Sequence, residues 1–173
     1  MPGGTDKSTA LLVSTIAHFP PRVVLDTNAG LALFAYADPC CGALAAALRE
    51  RRVQAVANAA TRGEWLGVLW RDGLRLDQAS RQRAAQSFDT LVMVMDACVN
   101  LARTRIVLPR CRDPDDQIFL ELARDAGCVA LFTRDRQLLK LASRTQRDAG
   151  FAVRRPEDCP GQASSPFAIG QGE

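Results

Sequence analysis

Short, unbroken apolar runs separated by helix-like stretches constrain this chain more than any other feature. VVL at 23–25, VQAVA at 53–57, RIVL at 105–108 and CVALF at 128–132 do not alternate apolar with polar as a half-exposed strand does. Runs of this kind suit strands buried on both faces, which requires a parallel sheet with helices on either side. The intervening stretches read as those helices. Residues 31–49 are rich in Ala and Leu and break near Asp38-Pro39, giving two short helices. Asn58 is placed to cap a helix carrying Trp65, Leu66, Leu69 and Trp70, which Asp72-Gly73 stops. Residues 77–101 read as one long helix, with Phe88, Leu91, Val92, Met95 and Val99 at steps of three and four. Helices at 114–126, stopped by Gly127, and at 136–143 follow, and FAV at 151–153 makes a fifth strand. The expectation is an α/β fold, doubly wound in three α/β/α layers, with a mainly parallel sheet of about five strands.

At 173 residues this is one domain with a sizeable core. It is expected to span residues 21–155, with an N-terminal extension at 1–20. A flexible tail is expected at 156–173, where glycine, proline, serine and glutamine take over. No run approaches the roughly 18 apolar residues of a membrane helix, and the first 20 residues lack the apolar centre of a secretory signal, so a cytoplasmic protein is expected. Cys40, Cys41, Cys98, Cys111, Cys128 and Cys159 form no CxxC pair and have one histidine, His18, to join them. They read as reduced thiols rather than a zinc site. The net charge of +3 is too small to imply a nucleic-acid partner by itself. Lys7 and Lys140 are the lysines among 22 basic residues, the rest being arginines. Arginine suits phosphate through its bidentate fork, and genomic base composition explains such an excess equally well.

In an open parallel sheet, sites form beyond the carboxyl ends of the strands. That is where the acids fall. Asp26 follows the first strand directly in VVLDTN, and Asp135 follows the fourth in LFTRDRQLL. Glu64 sits in the helix after the second, and Asp113, Asp115 and Asp116 crowd the start of DPDDQIFLELA. Each has a structural explanation. Asp26, Asn28 and Asp135 stand where helix caps stand, and Thr61 with Glu64, or Asp113 with Asp116, has the spacing of a reciprocal cap. Four carboxylates at one sheet edge, however, repel one another unless a cation or proton compensates. Mg²⁺ or Mn²⁺ is the natural compensation, since such an ion prefers oxygen ligands, acidifies water and stabilises charge at phosphorus. No EF-hand loop, Walker phosphate loop or glycine-rich dinucleotide turn is present to offer another reading.

VVLDTN, the acid of GEWLGVL, DPDDQIFLELA and LFTRDRQLL, in this order, resemble the PIN-domain ribonucleases, especially VapC-like toxins of bacterial toxin–antitoxin systems. The likeness covers roughly residues 22–153. It implies metal-dependent cleavage of RNA phosphodiester bonds, with Mg²⁺ (or Mn²⁺) held by Asp26, Glu64, Asp116 and Asp135. The family's third acid has an alanine seven residues on, which selects Asp116, with Ala123, over Asp113 and Asp115. Asn28 and Thr133 match polar neighbours that orient the acids or their water. The resemblance further implies a small antitoxin partner and a homodimer. Ala29-Gly30 stands where the family usually has bulkier aliphatics, which puts the packing of the first helix in question. Arg110, Arg112, Arg134 and Arg136 flank the acids as candidate contacts to RNA phosphates. Two alternatives stay open here. One is a haloacid-dehalogenase-like phosphatase, which needs a second aspartate where Asn28 stands; the other is a non-catalytic RNA- or protein-binding module on the same fold.

Overall fold

The computed structural model describes residues 19–96 and 101–161. His18, Cys98, Val99, most of the N-terminal extension and residues 162–173 of the expected tail lie outside the described residues. Five strands form one parallel sheet in the order β3-β2-β1-β4-β5. They are β1 (Arg22–Leu25), β2 (Gln54–Ala57), β3 (Val92–Val94), β4 (Ala130–Phe132) and β5 (Ala152–Arg154). β1 pairs β2 with Val23 beside Ala55, and pairs β4 with Val23 beside Ala130. The chain thus winds outward one way from β1 through β2 and β3, then returns to its other side for β4 and β5.

Successive residues of each central strand point to opposite faces. Val23, Leu25, Ala55, Ala57, Ala130 and Phe132 face one layer, made by α1 (Thr27–Gly30), α2 (Gly42–Arg49), α3 (Ala59–Leu69) and α4 (Gln78–Leu91). Val24, Val56, Leu131 and Val153 face the other, made chiefly by α6 (Gln117–Asp125), α7 (Arg136–Leu139) and α8 (Ala142–Ala149). The short helix α5 (Leu101–Thr104) leads into this second layer. Each face of the sheet therefore has its own core, which is why the strand runs are apolar without alternation. The doubly wound, three-layer architecture expected from the sequence is the one observed. No single helix among the described residues is long and apolar enough to cross a membrane.

Three expectations about the strands and the C-terminus are corrected. The long helix at 77–101 ends at Leu91, where Val92, Met93 and Val94 turn into β3 beside Ala55, Val56 and Ala57. Val92 falls four residues after Phe88, so an apolar strand imitates a helical stripe there, and pairing with β2 decides between them. The expected strand at 105–108 has no partner, because β3 already holds the edge beside β2. These residues cross the surface instead, with Val107 83% exposed beside Arg144 and Arg147 of α8. The third concerns the C-terminus: Pro156–Asp158 form a 3-10 turn in which Pro156 is buried, and Cys159 is buried after it. Ordered packing thus continues past residue 155.

The helix expected at 136–143 is two helices, α7 and α8, the second ending at Gly150 with φ of 77°. α1 runs on as a wider π-helical stretch, Leu31–Ala35, closed by the Tyr36 amide donating to the Leu31 carbonyl at 3.0 Å. This brings Phe34 edge-on to Trp65 and Phe88, whose rings stack at 4.3 Å between centroids. Gly30 is what admits the indole: a Cβ there would lie 2.5 Å from Trp65 Nε1. The small residues at 29–30 are therefore matched to a tryptophan on the neighbouring helix.

Candidate active site

The strand order reverses between β1 and β4, and a crevice opens beyond their carboxyl ends at such a reversal. Asp26 and Thr133 emerge there side by side, since the Asp26 amide donates to the Phe132 carbonyl at 3.0 Å. Asp26 is only 3% exposed. It caps α1 by accepting from the Ala29 amide at 2.6 Å, and its other carboxylate oxygen accepts from the Thr133 hydroxyl. That hydroxyl in turn accepts from the Asp135 amide at 2.9 Å. Thr133, fully buried, thus ties the ends of β1 and β4 together. Asp135 caps α7, accepting from the Gln137 and Leu138 amides with one oxygen.

The expected cap between Thr61 and Glu64 does not form. α3 is capped by Asn58, whose side chain accepts from the Thr61 amide at 2.9 Å while the Thr61 hydroxyl accepts from the Asn58 amide at 3.0 Å. Glu64 is left out of the helix end and accepts from the Thr27 hydroxyl at 2.6 Å. The reciprocal cap of Asp113 with Asp116 is also absent. Asp113 accepts from the Asp115 amide at 3.0 Å, and Asp116, at the start of α6, makes no side-chain cap hydrogen bond. Gln117 latches the preceding loop, accepting from the Cys111 amide at 2.8 Å.

Electrostatics join the four acids. Burial pushes the Asp26 carboxyl up to about 6; the hydrogen bonds from Thr133 and Ala29 oppose this, and the charges of Asp116 and Asp135 add to it. Asp116 is also pushed up to about 6, by burial first and then by Asp135, Asp113, Glu64 and Asp115. A cleft of about 390 Å³ is lined by Arg112, Asp113, Pro114, Asp116, Asp135 and Gln137. Asp26 and Glu64 do not line it and sense it through Asp116. The residues suit a hard divalent cation in donor chemistry, being all oxygen with negative charge in excess. Among the described residues no three His, Cys, Asp or Glu side chains gather closely enough to enclose an ion by themselves. Of the four expected ligands, Asp116 and Asp135 share the cleft wall, and Asp26 and Glu64 are not among its lining residues.

The supporting residues divide. Thr133 holds two acids in place, whereas Asn28 is exposed and makes no side-chain hydrogen bond among the described residues. Its neighbour Thr27, which the sequence did not single out, makes the contact to Glu64 instead. The sequence signal for it was a hydroxyl residue directly after the strand-end acid. Of the flanking arginines, Arg112 lines the cleft. Arg134 is engaged elsewhere, with Asp38 at 2.8 Å and Glu157 at 3.3 Å. Arg110 and Arg136 are exposed and form no ion pair among the described residues.

No curated protein matches the chain significantly. The family model described as PIN domain matches residues 22–137. That match starts with β1 and runs into α7, through the strand ends and helix starts that carry all four acids, and the chain therefore belongs to the PIN domain family, whose members are generally nucleases.

Proposed function

We propose that this protein is a divalent-metal-dependent endoribonuclease that uses Asp26, Glu64, Asp116 and Asp135, and that it serves as the VapC-like toxin of a bacterial toxin–antitoxin pair. The observation that carries the reading is the shared charge of the acids. Burial first, and then neighbouring carboxylates, hold Asp26 and Asp116 both near 6: Asp116 and Asp135 act on Asp26, and Asp135, Asp113, Glu64 and Asp115 act on Asp116; the family is one of nucleases. Mg²⁺ or Mn²⁺, when bound, supplies the positive charge that relieves this crowding, polarises the scissile phosphate and acidifies water.

The chain's own residues do the positioning. Thr133 and the Ala29 amide fix both oxygens of Asp26, so its carboxylate has one orientation. Asp135 keeps one oxygen in the α7 cap, which directs the other toward the cleft it lines. Asp116 brings an uncapped carboxylate to the same cleft, suited to orient the attacking water. Arg112 stands at the cleft wall, where a guanidinium pairs with a substrate phosphate. Arg110 and Arg136, exposed and next in sequence to segments that carry the acids, are further candidates for phosphate contacts. A small antitoxin segment covering the acids, and a homodimer in the cytoplasm, complete the proposal. The decisive experiment incubates labelled single-stranded RNA with the wild type and Asp26→Asn, with Mn²⁺ or with EDTA. Cleavage confined to the wild type with Mn²⁺ supports the reading. Metal-dependent cleavage retained by D26N sinks it, and RNA binding without cleavage under any divalent ion leaves a binding module.

A further inference from the structure

We infer that Thr27 is a positioning residue for Glu64, acting through a seam between α1 and α3. This rests on the nuclease reading, in which Glu64 belongs to the acid set. The Thr27 hydroxyl donates to Glu64 Oε2 at 2.6 Å across 37 residues of sequence. Thr27 is 8% exposed, so water competes weakly for that proton. Glu64 is half-buried on a helix face and otherwise free to swing about three side-chain torsions. A single short hydrogen bond from a buried donor selects one arrangement.

The donor is itself fixed. Thr27 follows Asp26 directly and opens α1, and Asp26 ties that first turn down by accepting from the Ala29 amide. One turn on, the bare backbone of Gly30 lies against the Trp65 indole, where a Cβ would come within 2.5 Å of Nε1 and 2.8 Å of Cδ1. Trp65 is the residue after Glu64, is 2% exposed, and its Nε1–H has no hydrogen-bond partner among the described residues. A buried donor without a partner calls for a reason. Here the indole is placed by its shape: stacked on Phe88, it fits the gap over Gly30 and sets the spacing of α1 and α3. At that spacing Thr27 reaches Glu64. Two adjacent pairs, Thr27 with Glu64 and Gly30 with Trp65, therefore register the helix after β1 against the helix after β2. The first acid and the glutamate are held in one frame.

The test uses Thr27→Val, which keeps the β-branched shape and removes the donor, and Thr27→Ser, which keeps the donor, both in the full chain. Mn²⁺ is titrated into RNA-free protein by calorimetry, and kcat and KM are measured for single-stranded RNA. Loss of a residue that orients a ligand typically costs metal affinity or activity about 10-fold or more. T27V is expected to lose about that in Mn²⁺ affinity and in kcat with KM within about twofold of wild type, and T27S to recover most of both. Wild-type Mn²⁺ affinity and turnover in T27V overturn the inference. So does an equal fall in both variants, which marks a packing role. If the wild type neither binds Mn²⁺ nor cleaves RNA, the proposed function fails, and crystal structures of the two variants then decide the positioning. Glu64 keeping its single rotamer in T27V overturns it there.

Discussion

Replacing Asp26 with Asn removes a buried charge while keeping the shape of the side chain, and it should stabilise the metal-free protein at pH 8 even as it abolishes cleavage. Asp26 is 3% exposed, and burial lifts its carboxyl from 3.8 to about 6. A carboxyl whose folded pKa lies above its unfolded value takes up a proton on folding. The stability tied to it is fully present below pH 3.8 and is lost as the pH rises through about 6. At about 1.4 kcal/mol per pKa unit, the gap amounts to about 3 kcal/mol at pH 8, a penalty that an uncharged amide does not carry. The amide gives some of this back. Asp26 accepts at both oxygens, from the Ala29 amide and the Thr133 hydroxyl, and Asn accepts at one, which costs about 1 kcal/mol. Relief of repulsion on Asp116 acts in the same direction as the main effect. The expected net gain is about 2 kcal/mol at pH 8 and shrinks to about 0.5 kcal/mol at pH 5, midway through the window from 3.8 to about 6 over which the wild type loses stability. Urea denaturation at both pH values, with EDTA present and ionic strength fixed, measures it. Two results refute the reasoning: a variant less stable than wild type at pH 8, or a difference that is the same at both pH values.

Gly30→Ala forces a methyl against the rigid Trp65 indole, and overpacking of this kind should lower stability by about 1–3 kcal/mol in the same denaturation assay. Mn²⁺ should raise the wild-type melting temperature more at pH 8 than at pH 5.5, since Asp26 and Asp116 must both give up protons raised to about 6. At 100 times its Kd the ion contributes about 2.7 kcal/mol, and D26N should lose most of this shift in a thermal melt. Arg112→Ala should weaken single-stranded RNA binding and flatten its salt dependence, measured by fluorescence anisotropy. Arg134→Ala should do neither, because its guanidinium is paired with Asp38 and Glu157 and does not line the cleft.

The architecture and the acids were legible because both are written locally. VVL and CVALF are apolar without alternation, and an acid follows each at the place where a parallel sheet puts its sites. The roles of caps were legible only as spacings. Thr61 has one candidate partner three residues before it and another three after, and the structure takes Asn58, which leaves Glu64 outside the cap. β3 was hidden because Val92 and Met95 continue the helical count of Phe88 and Leu91. Nothing within the segment says that β2 offers an open edge. RIVL at 105–108 failed for the converse reason: it has strand composition and no edge left to join. Thr27 and Arg134 find their partners 37 and 96 or fewer residues away, across the fold, and no local pattern announces such contacts.

The family signature stops at residue 137, after β4 but before the strand that covers its outer edge. β5 lies along it, and the Arg154 carbonyl accepts from the Thr133 amide at 2.9 Å. Glu157, further on, holds Arg134, the residue before Asp135. What identifies the domain by sequence is thus shorter than what folds it. A graft or truncation cut at the signature's boundary would carry every acid and still leave Thr133 donating into water at a raw sheet edge, so chimaeras should extend through Cys159.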